Sequence, residues 1–374
     1  MKKFELIIAA GLLVMTMALT SCGEKKIATG DLTIAEEDFG GIDVNISEGD
    51  FAKLGFEPGD SVDVKLSNGY EKKDVPYYTG YYVNPGDPLV IGYPGDDSIT
   101  FKFNYAPSAW EESGASGKDT IRITLAGKGK YKSIEENLHL EYSVNREDYE
   151  SDEAYANFRA MRGGNLKDDM FFRSSSPYDT RNDRAAYTDA LMAKEGIGAI
   201  LNITDEEENV TEALNSDTFN SPYFKKLYED GKVLFSKINA NYKGEEFKKK
   251  LGEGLKRLSD YDGEKILIHC YEGKDRTGFV CALLEALAGA DYQEMVDDYM
   301  LTYDNFYGVN KKDTPEKYET ILQLNFEDML RTIAGVDKSA DLKTADYCTG
   351  AVNYLKDCGL TEQDIESLLD TLVK

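Results

Sequence analysis

An apolar tripeptide, Ile266-Leu267-Ile268, runs into His269-Cys270-Tyr271-Glu272-Gly273-Lys274-Asp275-Arg276-Thr277-Gly278, and a second apolar run, Phe279 to Leu287, follows at once. No other segment restricts the fold as tightly. The first run predicts a strand and the second a helix, so Cys270 stands in a short loop that turns one directly into the other. The N–H groups of such a loop point inward and the helix dipole adds positive potential, so an anion is held there. The same field favours the thiolate form of a cysteine. Arg276, six residues beyond Cys270, can clamp two phosphate oxygens with parallel hydrogen bonds. The Thr277 hydroxyl beside it can assist the sulfur as leaving group. The segment therefore describes a phosphate-binding nucleophile site.

This stretch resembles the H-C-x-x-G-x-x-R-[ST] signature of the cysteine-based protein tyrosine phosphatases, in the strand–loop–helix context that signature requires. The resemblance implies catalytic roles for Cys270, Arg276, Thr277 and His269, the last orienting the cysteine region. Tyr271, Glu272, Gly273 and Lys274 would form the rest of the substrate-binding loop, with Lys274 a second positive charge at its mouth. Across residues 155–374 the order Asn157-Phe158-Arg159, Gly163-Gly164, Phe172-Arg173-Ser174, Gly196-Ile197, Asp298-Tyr299-Met300-Leu301-Thr302 and Tyr354-Leu355 is similar to bacterial tyrosine phosphatases with a His-Cys-x-x-Gly-Lys-Asp-Arg-Thr-Gly loop. Members of that family act on phosphotyrosine, phosphoserine/threonine and phosphoinositides. The chain departs from them at Arg159-Ala160-Met161-Arg162-Gly163-Gly164 and at Asn202-Ile203-Thr204, and both changes bear on substrate preference. Arg173 is a further candidate phosphate contact.

The reaction needs a general acid for the leaving oxygen. The segment before the nucleophile strand, Lys237-Ile238-Asn239-Ala240-Asn241-Tyr242-Lys243-Gly244, has no carboxylate until Glu245 and Glu246. The resemblance assigns the acid to Asp275, inside the loop, with Glu245 and Glu246 as alternatives.

The N-terminus carries Met1-Lys2-Lys3, an apolar segment Leu6 to Leu19, and Leu19-Thr20-Ser21-Cys22. That order resembles a bacterial lipoprotein signal, which implies removal of residues 1–21, lipidation of Cys22 and a polar tether over 22–30. The expected location is the bacterial cell envelope, exported and lipid-anchored to the membrane. The formal net charge of −26 excludes nucleic acid as a partner class and leaves membrane attachment to the anchor instead of a basic face. Five cysteines, of which Cys281, Cys348 and Cys358 have no assigned task, make no disulfide framework. With His139 and His269 the only histidines, no metal-ligand cluster is legible, and the chemistry asks for no cofactor.

Residues 31–148 are expected to form an all-β barrel or sandwich. Ser61–Leu66, Ile99–Phe103 and Thr120–Leu125 carry strand patterns, and Pro58-Gly59-Asp60, Asn68-Gly69, Pro85-Gly86-Asp87 and Pro94-Gly95-Asp96 mark turns. Asp38-Phe39-Gly40, Asn45-Ile46-Ser47, Asp50-Phe51, Leu54 to Asp60 and Tyr77-Tyr78-Thr79 are similar in order to the C-terminal β-domain of S-adenosylmethionine hydroxide adenosyltransferases, which implies a like fold. Tyr77, Tyr78, Tyr81, Tyr82 and Trp110 are candidates either for a recognition surface or for core and edge-strand positions. The charged stretch Asn145 to Glu153 is expected as a linker.

Residues 149–374 alternate helix and strand. Helices are expected at Arg184–Glu195, Phe219–Asp230 and Glu245–Leu258, with strands at Ala199–Ile203, Val233–Ile238 and Lys265–Ile268. This is the pattern of an α/β domain with a mostly parallel sheet and its site at a strand's C-terminal end. All residues assigned to the chemistry lie beyond Tyr155, so the β-domain is expected to act on location or on large substrates. Three functional readings stand at this point: a tyrosine or dual-specificity phosphatase acting on phosphorylated protein, a phosphoinositide or inositol-polyphosphate phosphatase of the same mechanism, and an inactive phosphate-binding surface protein.

Overall fold

Alternation in Ser61-Val62-Asp63-Val64-Lys65-Leu66 places Val62, Val64 and Leu66 on one buried face while Lys65 is exposed. That is the period-two signature of a strand with one face in a core. The computed structural model describes residues 27–35, 40–181 and 183–374. Cys22 and the signal segment 1–21 lie outside them, as do part of the tether and Asp38-Phe39. Among the described residues no helix is long and apolar enough to cross a membrane.

The strands β1 (Ile27–Ile34), β2 (Ile42–Val44), β3 (Ser61–Leu66), β4 (Glu71–Tyr78), β5 (Pro88–Ile91), β6 (Ile99–Phe103) and β7 (Thr120–Gly127) close into a barrel of order β1-β2-β6-β5-β4-β3-β7. Closure removes the free edges that short strands otherwise leave. Its pairings are antiparallel except β4 with β5, which run parallel through Tyr77↔Val90 and Tyr78↔Ile91. Phe51 and Phe56 stack at 4.1 Å inside it, and Tyr77 meets Phe51 edge-on at 5.1 Å. Burying each such side chain contributes about 1.5–3 kcal/mol.

The second sheet contains β8 (Arg159–Ala160), β9 (Phe171–Ser174), β10 (Ala199–Asn202), β11 (Val233–Phe235) and β12 (Ile266–His269), in the order β11-β10-β12-β9-β8. β9, β12, β10 and β11 are mutually parallel, and β8 runs antiparallel to β9. The expected mixed α/β arrangement is therefore present. Both faces are covered, which explains the continuous apolar runs. Ile266 and Ile268 pack with Leu251, Leu255, Phe279 and Leu283 on one side. Leu267 packs with Leu191, Met192, Phe224 and Leu227 on the other. β11 stops short of the predicted Ile238, because the chain leaves the sheet after Phe235 and carries Ile238 to the loop beyond β12.

The stretch expected as a linker is packed in place. Arg146 pairs with Asp152 at 2.6 Å. The Arg184 guanidinium lies 4.4–5.0 Å from the ring centres of Tyr142, Tyr149, Tyr155 and Phe306. The helix Lys132–Leu138, which follows β7, also leaves the barrel behind. Leu138 joins the core of the second sheet, and Asn137 donates to the Thr320 hydroxyl at 2.9 Å. The barrel is thus docked onto the α/β body through ordered contacts.

Candidate active site

β12 is an inner strand, flanked by β9 through His269↔Ser174 and by β10 through Asn202↔His269. Cys270 follows its last residue and is 3% exposed. The helix Asp275–Leu287 begins five residues later, with Lys274 as its N-cap. Loop and helix N-terminus therefore share the space above the sheet's C-terminal edge, where α/β proteins bind ligands.

The direction of the loop's peptide groups is set from outside. The Tyr271 carbonyl accepts from the Ser176 N–H at 2.9 Å. The Glu272 and Gly273 carbonyls accept from Asn157 Nδ2 at 3.2 and 3.1 Å, and Gly273 O also accepts from Arg173 Nη2 at 2.8 Å. In a trans peptide the N–H opposes the C=O. Drawing three successive carbonyls outward turns the N–H groups of Glu272, Gly273 and Lys274 inward. Gly273 has φ +69°, and a Cβ there would lie 2.3 Å from the Ser174 carbonyl oxygen. Only glycine satisfies both the backbone angle and the close approach.

Arg173, a candidate phosphate contact, takes another place. It is fully buried, and its guanidinium is spent on Gly273 O and on the Asp298 carboxylate. Through Gly273 O it holds the loop's turn in place. Arg159 binds the same Asp298 at 2.7 Å and donates to Asn157 Oδ1 at 2.6 Å. Burial opposes ionisation of Asp298, but Arg159 and Arg173 more than offset it and hold its carboxyl below the usual range. Burial, then the Asp298 charge, pushes the neighbouring Glu285 carboxyl well above that range. Two guanidiniums thus meet the one Asp298 carboxylate beneath the anion-binding loop.

His269 is fully buried, with Nδ1 3.1 Å from the Cys270 carbonyl oxygen. Burial pulls its pKa down to about 4, so the imidazole is neutral at physiological pH and braces the cysteine's backbone. Thr277 is also fully buried, and among the described residues its hydroxyl has no hydrogen-bond partner. It is a free donor at the helix start. Arg276 donates from Nη1 to the Ile238 carbonyl at 3.4 Å, a long contact that leaves most of its guanidinium available.

Glu272 and Lys274 are engaged with each other at 3.0 Å, and Glu272 accepts from the Tyr142 hydroxyl at 2.7 Å. Lys274 Nζ also meets the Tyr307 hydroxyl at 3.3 Å. Burial works against the Lys274 charge, yet Asp275, Tyr303, Tyr307 and Glu272 raise its pKa well above the usual value. It stays an ammonium. The Tyr271 ring carries the Arg181 guanidinium at 3.5 Å.

Asp275 occupies the first helical turn with its side chain 49% exposed. It lines a cleft of 740 Å³ with Lys274, Tyr303 and Tyr307. Glu245 and Glu246, the alternative acids, do not line that cleft. Glu245 is 91% exposed, and Glu246 pairs with Lys250 at 2.9 Å. The helix Glu245–Lys256 begins beyond the turn that approaches the loop, so both carboxylates project to solvent.

Two residues that precede Tyr155 reach the site, against the expectation that everything relevant follows it. Tyr142 binds Glu272 as described, and Tyr105, between β6 and β7, lines the cleft with Lys274 and Asp275. Of the aromatic candidates in the barrel, Tyr77 and Tyr78 are buried in its fabric, whereas Tyr81 and Tyr82 line the cleft. Asn157, Asp298, Tyr142 and Tyr105 were not singled out as site residues by their sequence. Asn157 and Asp298 fall within segments that carry the family resemblance, which is the signal that could have found them.

The arrangement puts inward N–H groups beside a cysteine at the start of a helix, with one partly exposed carboxylate alongside. Residues 153–374 match the family described as the tyrosine phosphatase family. The chain is 26% identical over 123 residues to the triple specificity protein phosphatase PtpB of Mycobacterium tuberculosis, covering 30% of this chain and 45% of that protein. It is 29% identical over 120 residues to a tyrosine-protein phosphatase of Nostoc commune, covering 30% of this chain and 41% of that protein. The chain thus spans less than half the length of these curated relatives. Among solved structures, the core catalytic domain of the PP-IP phosphatase SIW14 from S. cerevisiae is 17% identical over 48% of this chain and 91% of that one, with a TM-score of 0.28. A likeness that slight carries no argument.

Proposed function

Because the chain belongs to the tyrosine phosphatase family through residues 153–374, we propose that it is a cysteine-dependent phosphoric monoester hydrolase acting on phosphotyrosine-type esters. The observation that carries this reading is the loop 270–276, with its carbonyls tied outward by Ser176, Asn157 and Arg173. Such a loop is a preorganised oxyanion receptor around the nucleophile position.

The Cys270 thiolate attacks phosphorus, an S–P bond forms, and the ester P–O bond breaks. Asp275 gives its proton to the departing oxygen. In the second step Asp275 takes a proton from water, the oxygen attacks phosphorus, and the S–P bond breaks to release phosphate and thiolate. The inward N–H groups and the Arg276 fork bind the three equatorial oxygens throughout. The neutral His269 braces the cysteine, and the unpartnered Thr277 hydroxyl donates to the sulfur as it leaves.

The alternative reading as an inositol-polyphosphate phosphatase leaned on Lys274 as a cation for a second phosphate. Lys274 already has Glu272 as a partner at 3.0 Å, and the tyrosines of the cleft favour an aryl leaving group. Met1-Lys2-Lys3, the apolar Leu6–Leu19 and Cys22 support a reading of export and lipid attachment to the cell envelope.

The deciding experiment is hydrolysis of para-nitrophenyl phosphate by the purified protein in excess EDTA, followed by trapping of a phosphorylated Cys270 peptide by rapid acid quench. No turnover, or turnover with no labelled cysteine, would remove this reading.

A further inference from the structure

The cleft that holds Lys274 and Asp275 is also lined by barrel residues, among them Tyr81, Tyr82, Lys102 and Tyr105. We propose that the β-barrel builds the leaving-group subsite of this active site, and that the subsite takes an aryl phosphate whose organic part carries a second anionic group. The barrel tyrosines would flank the ring and Lys102 would meet the anion. This rests on the hydrolase reading above and adds to it the part of the substrate that the phosphate loop does not touch.

Four observations converge. The cleft's 740 Å³ lies within the roughly 300–1,000 Å³ of small-molecule sites and far exceeds what a phosphate needs. Its rings offer large, rigid contact area at low entropic cost. Tyr105 has φ +67°, a left-handed conformation that a non-glycine residue rarely adopts. The turn around it is held by Gly86 N–H to Asn104 O at 2.8 Å and by Asn104 Nδ2 to Val83 O at 2.7 Å. The result is a tyrosine that lines the cleft together with Ala240, Lys274 and Asp275.

The fourth observation is electrostatic. The Lys102 ammonium lies 5.3 Å over the Tyr81 ring. Among the described residues no carboxylate comes within ion-pair distance of it, whereas Lys274 in the same cleft is paired with Glu272. In a chain of net charge −26, a cation left without a carboxylate in a cleft is a local attractor for an anion against the global field. A carboxylate flanking a phosphotyrosine on a peptide supplies that group.

The test uses the full chain, phenyl phosphate, and two phosphotyrosyl peptides that differ only by a flanking glutamate or glutamine. The wild type should prefer the glutamate peptide by about tenfold in kcat/KM, the size of one desolvated ion pair. Lys102→Met should bring that ratio close to one, and Lys102→Arg should restore it. Tyr105→Phe keeps the ring and removes the hydroxyl, and should raise KM for both peptides by a larger factor than KM for phenyl phosphate. If the wild type hydrolyses phenyl phosphate but shows no preference between the peptides, or if Lys102→Met keeps the preference, the subsite is overturned while the hydrolase reading stands. If phenyl phosphate itself is not hydrolysed, the hydrolase reading falls and takes the subsite with it.

Discussion

Arg173 Nη2 donates to the carbonyl oxygen of Gly273 across 2.8 Å while Nη1 of the same guanidinium binds Asp298. One planar fork therefore ties the turn of the anion-binding loop to the helix Tyr292–Tyr307. The direction of the inward N–H groups depends on that tie and on Asn157.

Arg173→Lys keeps the charge and loses the fork, since an ammonium cannot hold two acceptors in a plane. Phosphate should become a weaker competitive inhibitor by at least about tenfold, and kcat/KM should fall about a hundredfold. Inhibition by phosphate measured beside thermal unfolding checks this. Unaltered inhibition would mean that the carbonyl tie does not orient the loop.

Cys270→Ser should lower turnover by about four orders of magnitude or more, since the nucleophile acts as a unit with its loop. Phosphate affinity should stay within a few-fold of wild type, because the inward N–H groups and Arg276 are untouched. A serine variant with more than a few per cent of wild-type kcat would rule out the covalent route.

Asp275→Asn removes the proton donor and leaves the helix start intact. The loss in kcat should be largest for phenyl phosphate and smallest for aryl phosphates with acidic leaving groups, which depart without a proton. A plot of log kcat against leaving-group pKa should therefore steepen in the variant. Parallel plots for the two proteins would assign Asp275 a structural role instead.

His269 makes stability depend on pH in a fixed direction. Its folded pKa of about 4 lies below the ordinary 6.5, so below pH 6.5 the unfolded chain binds a proton that the folded one refuses. Stability from this group is complete above pH 6.5 and falls as pH drops towards 4. Between pH 7 and pH 5 the loss is about 2 kcal/mol. Urea unfolding of wild type and His269→Gln at both pH values should show a drop smaller by that amount in the variant. Equal drops would show that the folded imidazole titrates normally.

Several elements were legible before any packing was considered. The strands Ser61–Leu66 and Ile99–Phe103 and the helix Arg184–Glu195 occur with the predicted bounds, because each has a clean periodicity and a turn or glycine stop at its end. The helix after the loop was legible only from its apolar part. It begins at Asp275, since its first turn consists of the polar residues that serve the anion site. Asn145–Glu153 reads as a linker by composition, yet Arg184 binds Tyr149 and Lys194 binds Glu153, which ties it to the body, because tyrosine and arginine pack as readily as they hydrate.

The chain's local order determined the nucleophile loop. Cys270, Gly273, Asp275 and Arg276 lie within seven residues, and a strand, a left-handed glycine and a helix start bring them to one short turn. Tertiary structure alone decided what surrounds them. Asn157, Arg173 and Asp298 meet the loop from 100 or more residues away along the chain, or within 25 on its far side, and Tyr105 arrives from another sheet altogether. Such meetings depend on how two cores stack and on which helix docks where. Those are long-range packing outcomes that no period of two or 3.6 residues encodes.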